Sequence, residues 1–172
     1  VDLKTRKEVI LDRGSVITAV LATCAIPVAL PPVELDNMLL VDGGLINNTP
    51  FDVTRARGAT TIIAVNLSQA AAYGTAIEIN PSPKGMIERA LGLAQRGKLF
   101  QVATAAIDIM TSQGFDMRLA IAKPEVLIRP NMGTLGIFDF HRWEEGIALG
   151  KKAVRENQAA IEAALEQHRT LR

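Results

Sequence analysis

Short apolar runs alternate with turn-forming and helix-forming segments along this chain. Residues 38–41 are a short apolar run, typical of a buried strand, that ends on Asp42. Residues 60–67 form a continuous β-branched run, which is typical of a parallel strand covered on both faces. Between these runs a brief helix is predicted, with Thr49 as its cap and Gly58 at its end. This order predicts an α/β fold with a mainly parallel sheet flanked by helices.

Five further segments complete this prediction: a strand at 7–12, a helix at 16–24, a helical stripe at 84–123 broken near Gly114, a strand at 124–130, and a long helix capped by Asp139. Residues 68–83 mix small residues with Asn-Pro and Ser-Pro, as loops do. The chain contains no repeat and no linker-like tract. We therefore expect a single α/β domain over residues 1–172.

Composition excludes several classes of protein. With 48% hydrophobic residues and a net charge of +1, the chain can bury a sizeable core but has no basic surface for nucleic acid. No apolar run approaches the roughly 20 residues that span a bilayer, so we expect a cytoplasmic protein or one peripheral to a membrane. A single cysteine forms no internal disulfide, and the sequence has no cluster of metal-ligand spacing. We expect no metal and no organic cofactor.

Asp42 is the first candidate for chemistry. It stands at the end of an apolar run and is followed at once by Gly43 and Gly44, where the backbone must turn sharply or approach another group closely. An active-site acid is often presented in this way. Aspartate at a strand end also commonly accepts hydrogen bonds from the amides of its own turn. These residues alone leave both interpretations open.

A nucleophile is harder to identify. No Gly-x-Ser-x-Gly elbow occurs in the sequence. Ser15 and Cys24 are the remaining candidates, but Ser15 suits a helix N-cap and Cys24 suits a buried structural thiol. His141 stands at the beginning of a charged helix beside Arg142, and His168 lies in the C-terminal tail, so both fit surface or packing positions. If catalysis occurs, a carboxylate base at Asp42 is therefore favoured over an imidazole.

Five sequence blocks, in this order and spacing, resemble the second half of bacterial patatin-like phospholipases. They are VDLKT at 1–5, ATCAIP at 22–27, PPV at 31–33, VDGG with NNTP at 41–50, and GA before IIAV at 58–65. Residues 128–130 and 138–140 look like the end of the same domain. The resemblance covers essentially the whole chain, and it implies a patatin-like fold truncated at its N-terminus.

The resemblance also implies an activity, which is lipid acyl hydrolysis by a Ser-Asp dyad. Asp42 matches the aspartate that contacts the serine, and Gly43 and Gly44 match residues that let the chain pass close to it. The implied substrate is a fatty-acyl ester of a phospholipid or simpler lipid, with peripheral membrane contact.

The family's serine-bearing half has no counterpart in this sequence. We therefore expect little or no esterase activity from this chain alone, and self-association or pairing with a complementary N-terminal chain. The alternative function is a non-catalytic α/β module that binds acyl chains or a protein partner.

Overall fold

A computed structural model of the chain describes residues 1–27, 29–67, 93–135 and 139–170. The chain divides into two compact units. The first contains the residues up to Asn48 and helical residues up to Phe115, and the second contains the residues from Thr49 and again from Asp116. A single domain over residues 1–172 stays a prediction.

The first unit begins with helix α1, Val16–Thr23, followed by a β-hairpin. Strands β1, Val33–Leu35, and β2, Met38–Leu40, pair antiparallel, with Val33 opposite Leu40. The turn residues Asp36 and Asn37 have φ angles of 46° and 63°. Two consecutive positive φ angles match the twist of a tight hairpin, and Asp and Asn are among the few residues that tolerate them.

Asp2 ties the start of the chain to this hairpin. Its side chain is 1% exposed, and Oδ1 accepts hydrogen bonds from the amides of Leu39 at 3.0 Å and Lys4 at 3.1 Å. Oδ2 accepts from the Thr5 amide at 3.1 Å and the Thr5 hydroxyl at 2.7 Å. These hydrogen bonds lower the pKa of Asp2 to about 2, and the bond from the Leu39 amide has the largest effect. The hairpin is therefore held by a buried carboxylate whose four acceptor positions are all used.

The second unit contains a parallel strand pair and three of the chain's helices. Helix α2 is Phe51–Ala56, strand β3 is Ile63–Val65, strand β4 is Val126–Ile128, and the last two helices are α4, Trp143–Glu156, and α5, Gln158–Thr170. Helix α3, Leu93–Ile121, contributes residues to both units. One core cluster joins β4 to α4 and α5; its members are Val126, Ile128, Ala153, Ile161 and Ala164.

Arg55 and Glu125 connect α2 to the parallel strands. Arg55 Nη2 lies 2.7 Å from Glu125 Oε1, and Glu125 Oε2 accepts from the Ile62 amide at 2.7 Å. Burial raises the pKa of Glu125, but the Arg55 guanidinium and the Ile62 amide outweigh this effect and lower the pKa overall. Arg55 thus joins α2 to the segment that leads into β4.

The α/β class is confirmed, since helices combine with paired strands and β3 and β4 run parallel. The helix at α1, the strand at β4 and the termination of α2 near Gly58, which has a φ of 95°, also follow the sequence prediction. The hairpin strand β1 was not predicted.

Several predicted details are wrong. Residues 7–12 form no strand, and only Lys7 makes an isolated bridge, to Asp2. Thr49 does not cap α2: Pro50 occupies the cap position without a side-chain hydrogen bond. Ile63 and Val65 on β3 are 41% and 49% exposed, so this strand is not covered on both faces. Apolar runs indicate strands, but they do not say which partners reach each face.

The helix predictions fail in two places. Gly114 does not break α3, because the glycine penalty of about 1 kcal/mol is smaller than the roughly 1.5–3 kcal/mol gained by burying Phe115 on the same helix. The last helix is two helices that meet at Asn157, whose backbone and side-chain nitrogens both donate to the Ala153 carbonyl, at 3.2 and 2.8 Å. Asp139 makes no capping bond and instead pairs with Arg142 at 3.4 Å.

The loop predicted at residues 68–83, and the first part of the helical stripe from residue 84, lie outside the described residues. In the part of the chain that the structure describes, no helix is both long and apolar enough to cross a membrane.

Candidate active site around Asp42

Asp42 is positioned by backbone hydrogen bonds on both sides of strand β2. The Val41 amide donates to the Val1 carbonyl at 2.9 Å, and the Asp42 amide donates to the Ala25 carbonyl at 3.0 Å. Val41 and Ala25 are buried. The residues that follow α1 and the residues that follow β2 therefore lie side by side, and the Asp42 backbone is fixed just after the end of β2.

The two carboxylate oxygens of Asp42 have different surroundings. Oδ1 accepts a hydrogen bond from the Gly44 amide at 2.8 Å, and this contact starts a single 3-10 turn, Gly43–Leu45. Among the described residues, nothing donates a hydrogen bond to Oδ2. The side chain is half-buried. The turn-forming role is thus observed for one oxygen, and the second oxygen has no donor among the described residues.

Gly44 and Gly43 differ in the space around them. A Cβ on Gly44 would lie 3.1 Å from Asp42 Oδ1 and 3.3 Å from Asn48 Oδ1, which is closer than ordinary contact. A Cβ on Gly43 would meet nothing within 4 Å. A side chain at position 44 would therefore press on the Asp42 carboxylate, whereas Gly43 borders open space.

The two candidate nucleophiles, Ser15 and Cys24, are the cap residues of helix α1. Ser15 is its N-cap, and the Ser15 hydroxyl accepts from the Thr18 amide at 3.3 Å, as predicted. Cys24 is the C-cap residue, and its amide donates to the Val20 carbonyl at 2.9 Å. The expected burial of Cys24 is wrong: it is exposed, because the buried position of this helix is Ala22. The hydrogen bond that the Asp42 carboxylate accepts comes from the Gly44 amide and involves neither Ser15 nor Cys24.

The two histidines lie in the second unit. His141 is exposed in the 3-10 turn Phe140–Arg142. His168 is half-buried near the end of α5, with Nδ1 at 3.0 Å from the Thr60 hydroxyl and 3.1 Å from the Thr61 hydroxyl. His168 therefore joins α5 to the segment before β3. These are the surface and packing positions that the sequence predicts.

Asp2 and Asn66 are polar residues whose environments sequence reasoning missed. Asp2 belongs to the VDLKT block, but no property of a lone acid marks it as buried. Asn66 follows β3 and is 3% exposed, and its position after an apolar strand was the only available signal. Among the described residues, no group of three or more His, Cys, Asp or Glu side chains is arranged to hold a metal ion.

Comparison with known proteins places this geometry in a family context. The family model described as patatin-like phospholipase matches residues 2–55, which include Asp42 and the hairpin. An NTE family protein of Mycobacterium tuberculosis (strain H37Rv) is 30% identical over 167 residues, which are 94% of this chain and 28% of that protein. A second NTE family protein, from Mycobacterium bovis, is 36% identical over 81 residues, which are 47% of this chain and 22% of that protein.

A human relative shares a shorter region. Patatin-like phospholipase domain-containing protein 6 of Homo sapiens is 43% identical over 56 residues, which are 31% of this chain and 4% of that protein. The chain spans less than a third of the length of each of these curated relatives.

Proposed function

Because the chain belongs to the patatin-like phospholipase family, we propose that Asp42 is the base of a Ser-Asp dyad in a lipid acyl hydrolase. The observation that carries this proposal is the asymmetry of the carboxylate. Oδ1 is oriented by the Gly44 amide at 2.8 Å, and Oδ2 accepts no hydrogen bond from the described residues. A base needs both features, since its orientation must be fixed while one lone pair stays free for the incoming proton.

In the proposed reaction a serine hydroxyl attacks the carbonyl carbon of a fatty-acyl ester while Asp42 Oδ2 takes the hydroxyl proton. The ester C–O bond then breaks, the proton passes to the departing alcohol, and an acyl-enzyme forms. Water then attacks the acyl-enzyme while Asp42 accepts its proton. The bond between the acyl carbon and the serine oxygen breaks, and the proton passes from Asp42 to that oxygen, which releases the fatty acid and restores the serine hydroxyl. Gly43, with open space at its Cβ position, leaves room for the serine and the ester to approach.

The serine of this dyad is proposed to come from a Gly-x-Ser-x-Gly segment, which the 172 residues do not contain. In the structure Ser15 is engaged as a helix cap, which argues against it as the nucleophile. The proposed complete site therefore joins Asp42 to a serine carried by another polypeptide segment.

An exposed apolar surface on α1 favours a second candidate function. Val16, Ile17, Val20 and Leu21 are each between 51% and 76% exposed. Apolar surface of this kind marks contact with a protein partner or a lipid. It supports the alternative of a non-catalytic module that binds acyl chains or a partner chain, and it equally suits peripheral membrane contact or self-association in a hydrolase.

Hydrolysis of short-chain nitrophenyl esters separates these functions. We expect little turnover by the chain alone, and turnover when it is mixed with a patatin-like polypeptide that carries the Gly-x-Ser-x-Gly serine. The matched control is the same polypeptide with that serine replaced by alanine. Binding of the two polypeptides without turnover would support the non-catalytic module. Full turnover by the chain alone, lost in Asp42→Ala, would contradict the proposed site and would require a nucleophile within this chain, with Ser15 and Cys24 as the first residues to test.

The adjacent glycines provide a matched pair of variants in the same assay. Gly44→Ala places a methyl group 3.1 Å from Asp42 Oδ1, so the carboxylate has to shift by a few tenths of an ångström. We expect the turnover number to fall about 10- to 100-fold, because small displacements of a catalytic group are costly. Gly43→Ala adds the same methyl group in open space and should retain folding. Equal turnover in Gly44→Ala and the unsubstituted chain would contradict the proposed role of this carboxylate.

A further inference from the structure

Helix α4 has two apolar sides, and one of them is exposed. On the buried side, Ala153 belongs to the core cluster that joins α4 to β4 and α5. The exposed side carries Phe140, Trp143, Ile147 and Val154, which are 78%, 59%, 49% and 47% exposed. An α-helix turns once in about 3.6 residues, so Trp143, Ile147 and Val154 lie along one side, and Phe140 precedes Trp143 by three residues. These four residues form an apolar surface, here called the α4 stripe.

Two exposed cations border the α4 stripe. Lys151 follows Ile147 by four residues, and Arg155 follows Lys151 by four, so both lie in the row beside the stripe. Among the described residues neither cation makes an ion pair, whereas the adjacent Lys152 lies 3.8 Å from Glu156. The α4 stripe therefore combines exposed apolar side chains with two positive charges that the described part of the chain does not neutralise.

This combination is typical of a helix that lies on a membrane surface. An indole ring is favoured at the boundary between lipid headgroups and acyl chains, and lysine and arginine are attracted to anionic headgroups. The exposed Glu144 borders the first turn of the stripe, so the positive charge is concentrated towards the end of α4. Helix α1 also exposes apolar side chains, but none of its 8 residues is charged. Charge complementarity with an anionic membrane therefore favours α4 over α1.

We propose that the α4 stripe is the surface by which this chain binds an anionic lipid bilayer. Trp143 and its apolar neighbours enter the headgroup region, while Lys151 and Arg155 contact lipid phosphates. The choice of a lipid partner rests on the proposed lipid acyl hydrolase function, because such an enzyme has to reach esters held in a membrane. The contact itself uses no residue of the Asp42 site, so it can be measured without ester hydrolysis.

The fluorescence of Trp143 tests the assignment directly, because the chain contains 1 tryptophan. The full chain is mixed with vesicles of equal parts phosphatidylcholine and phosphatidylglycerol, and separately with vesicles of phosphatidylcholine alone. With the anionic vesicles we expect the emission to shift to shorter wavelength, since the indole leaves water, and the chain to rise with the vesicles in a flotation gradient. Added salt should weaken this binding by screening the charges. Vesicle binding without a shift, or no binding, would overturn the inference.

Substitutions measured by flotation separate the apolar contribution from the charged one. Trp143→Ala should lower partitioning into anionic vesicles about 10-fold, because it removes the largest apolar group of the stripe. Lys151→Gln combined with Arg155→Gln should lower it about 10- to 30-fold, and should have little effect on phosphatidylcholine vesicles. Met110→Ser and Lys7→Gln, which remove an exposed apolar group and an exposed cation elsewhere, are the controls and should change neither. Partitioning of Trp143→Ala equal to that of the unsubstituted chain would contradict the proposal.

Sedimentation distinguishes a lipid surface from a contact between two copies of the chain. A dimer that dissociates in Phe140→Ala, together with no vesicle binding, would assign the α4 stripe to a second copy and overturn the proposal. All the substituted side chains are exposed, so each variant should keep the Tm of the unsubstituted chain. Vesicle binding without turnover in the presence of the serine-bearing polypeptide would contradict only the proposed hydrolase activity. Turnover of soluble nitrophenyl esters without vesicle binding would contradict only this inference.

Discussion

Asp42→Asn is expected to lower ester hydrolysis by about 100- to 10,000-fold in the presence of the serine-bearing polypeptide, the range that acid–base catalysis contributes. Asparagine has the shape of aspartate, and its side-chain oxygen can still accept the Gly44 amide bond that now measures 2.8 Å. At the position of Oδ2, however, it carries an NH₂ group, which cannot take a proton from serine. The substitution therefore removes the base and retains the turn.

A comparison of Asp42→Asn with Asp42→Ala separates the two roles, catalytic acid and turn former, that the sequence leaves open for Asp42. Steady-state kinetics measure the loss of base function, and thermal unfolding measures the turn. If Asp42 is the base, Asp42→Asn should lose turnover with little change in Tm, and Asp42→Ala should lose turnover and also lower Tm. Glu34→Gln, which removes an exposed carboxylate from β1, is the control and should retain both properties. Turnover retained in Asp42→Asn would leave Asp42 with the turn-forming role alone.

Asp2→Asn is expected to give the largest loss of stability. The Asp2 carboxylate is the acceptor of all four hydrogen bonds, whose donors are the amides of Lys4, Thr5 and Leu39 and the Thr5 hydroxyl. Asparagine has only one acceptor oxygen, so in either orientation its NH₂ group would face a backbone donor. A donor facing a donor in a buried site costs more than the simple loss of a bond. The midpoint of thermal or urea unfolding measures this effect, and Glu34→Gln again provides the control.

The pH dependence of that difference has a defined sign. The pKa of Asp2 in the folded chain is about 2, below its ordinary value of 3.8, so folding binds the charged form more favourably. The carboxylate's contribution is fully present well above pH 3.8 and is lost as the pH falls through about 2. The stability gap between the unsubstituted chain and Asp2→Asn should therefore be wide at pH 7 and should narrow towards pH 2. A gap that does not change with pH would contradict this origin.

The elements predicted correctly are those whose signals are local. Ser15 precedes an apolar, alanine-containing segment that becomes α1, because a hydroxyl at that position satisfies a free helix amide. Gly58 ends α2 because its φ of 95° is accessible to glycine at low cost. Strand β4 lies between Pro124 and Pro130, which limit regular structure on both sides.

The elements predicted wrongly depend on partners that are distant in the chain. Strand β1 follows two prolines and became a strand only by pairing with β2, across a turn with two positive φ angles. Gly114 is a poor helix former, and burial of the Phe115 ring outweighs its preference. The small residues around Cys24 are typical of a buried thiol, yet Cys24 is the exposed C-cap residue of α1. Burial is a property of neighbours, which a local pattern does not specify.

The candidate site shows the same division. The sequence alone provides the apolar run that ends at Asp42, the two glycines that follow it, and the ordered blocks that indicate the family. Only the tertiary structure shows that Oδ1 is engaged by Gly44 while Oδ2 is left without a donor among the described residues. It alone shows that Asp2 is buried under four hydrogen bonds and that Asn66 is buried without one at Oδ1. Chain order determines which chemical groups are present and in what local conformation. The pairing of each polar atom depends on residues brought together from far apart, because hydrogen bonds are set by distance and direction in space.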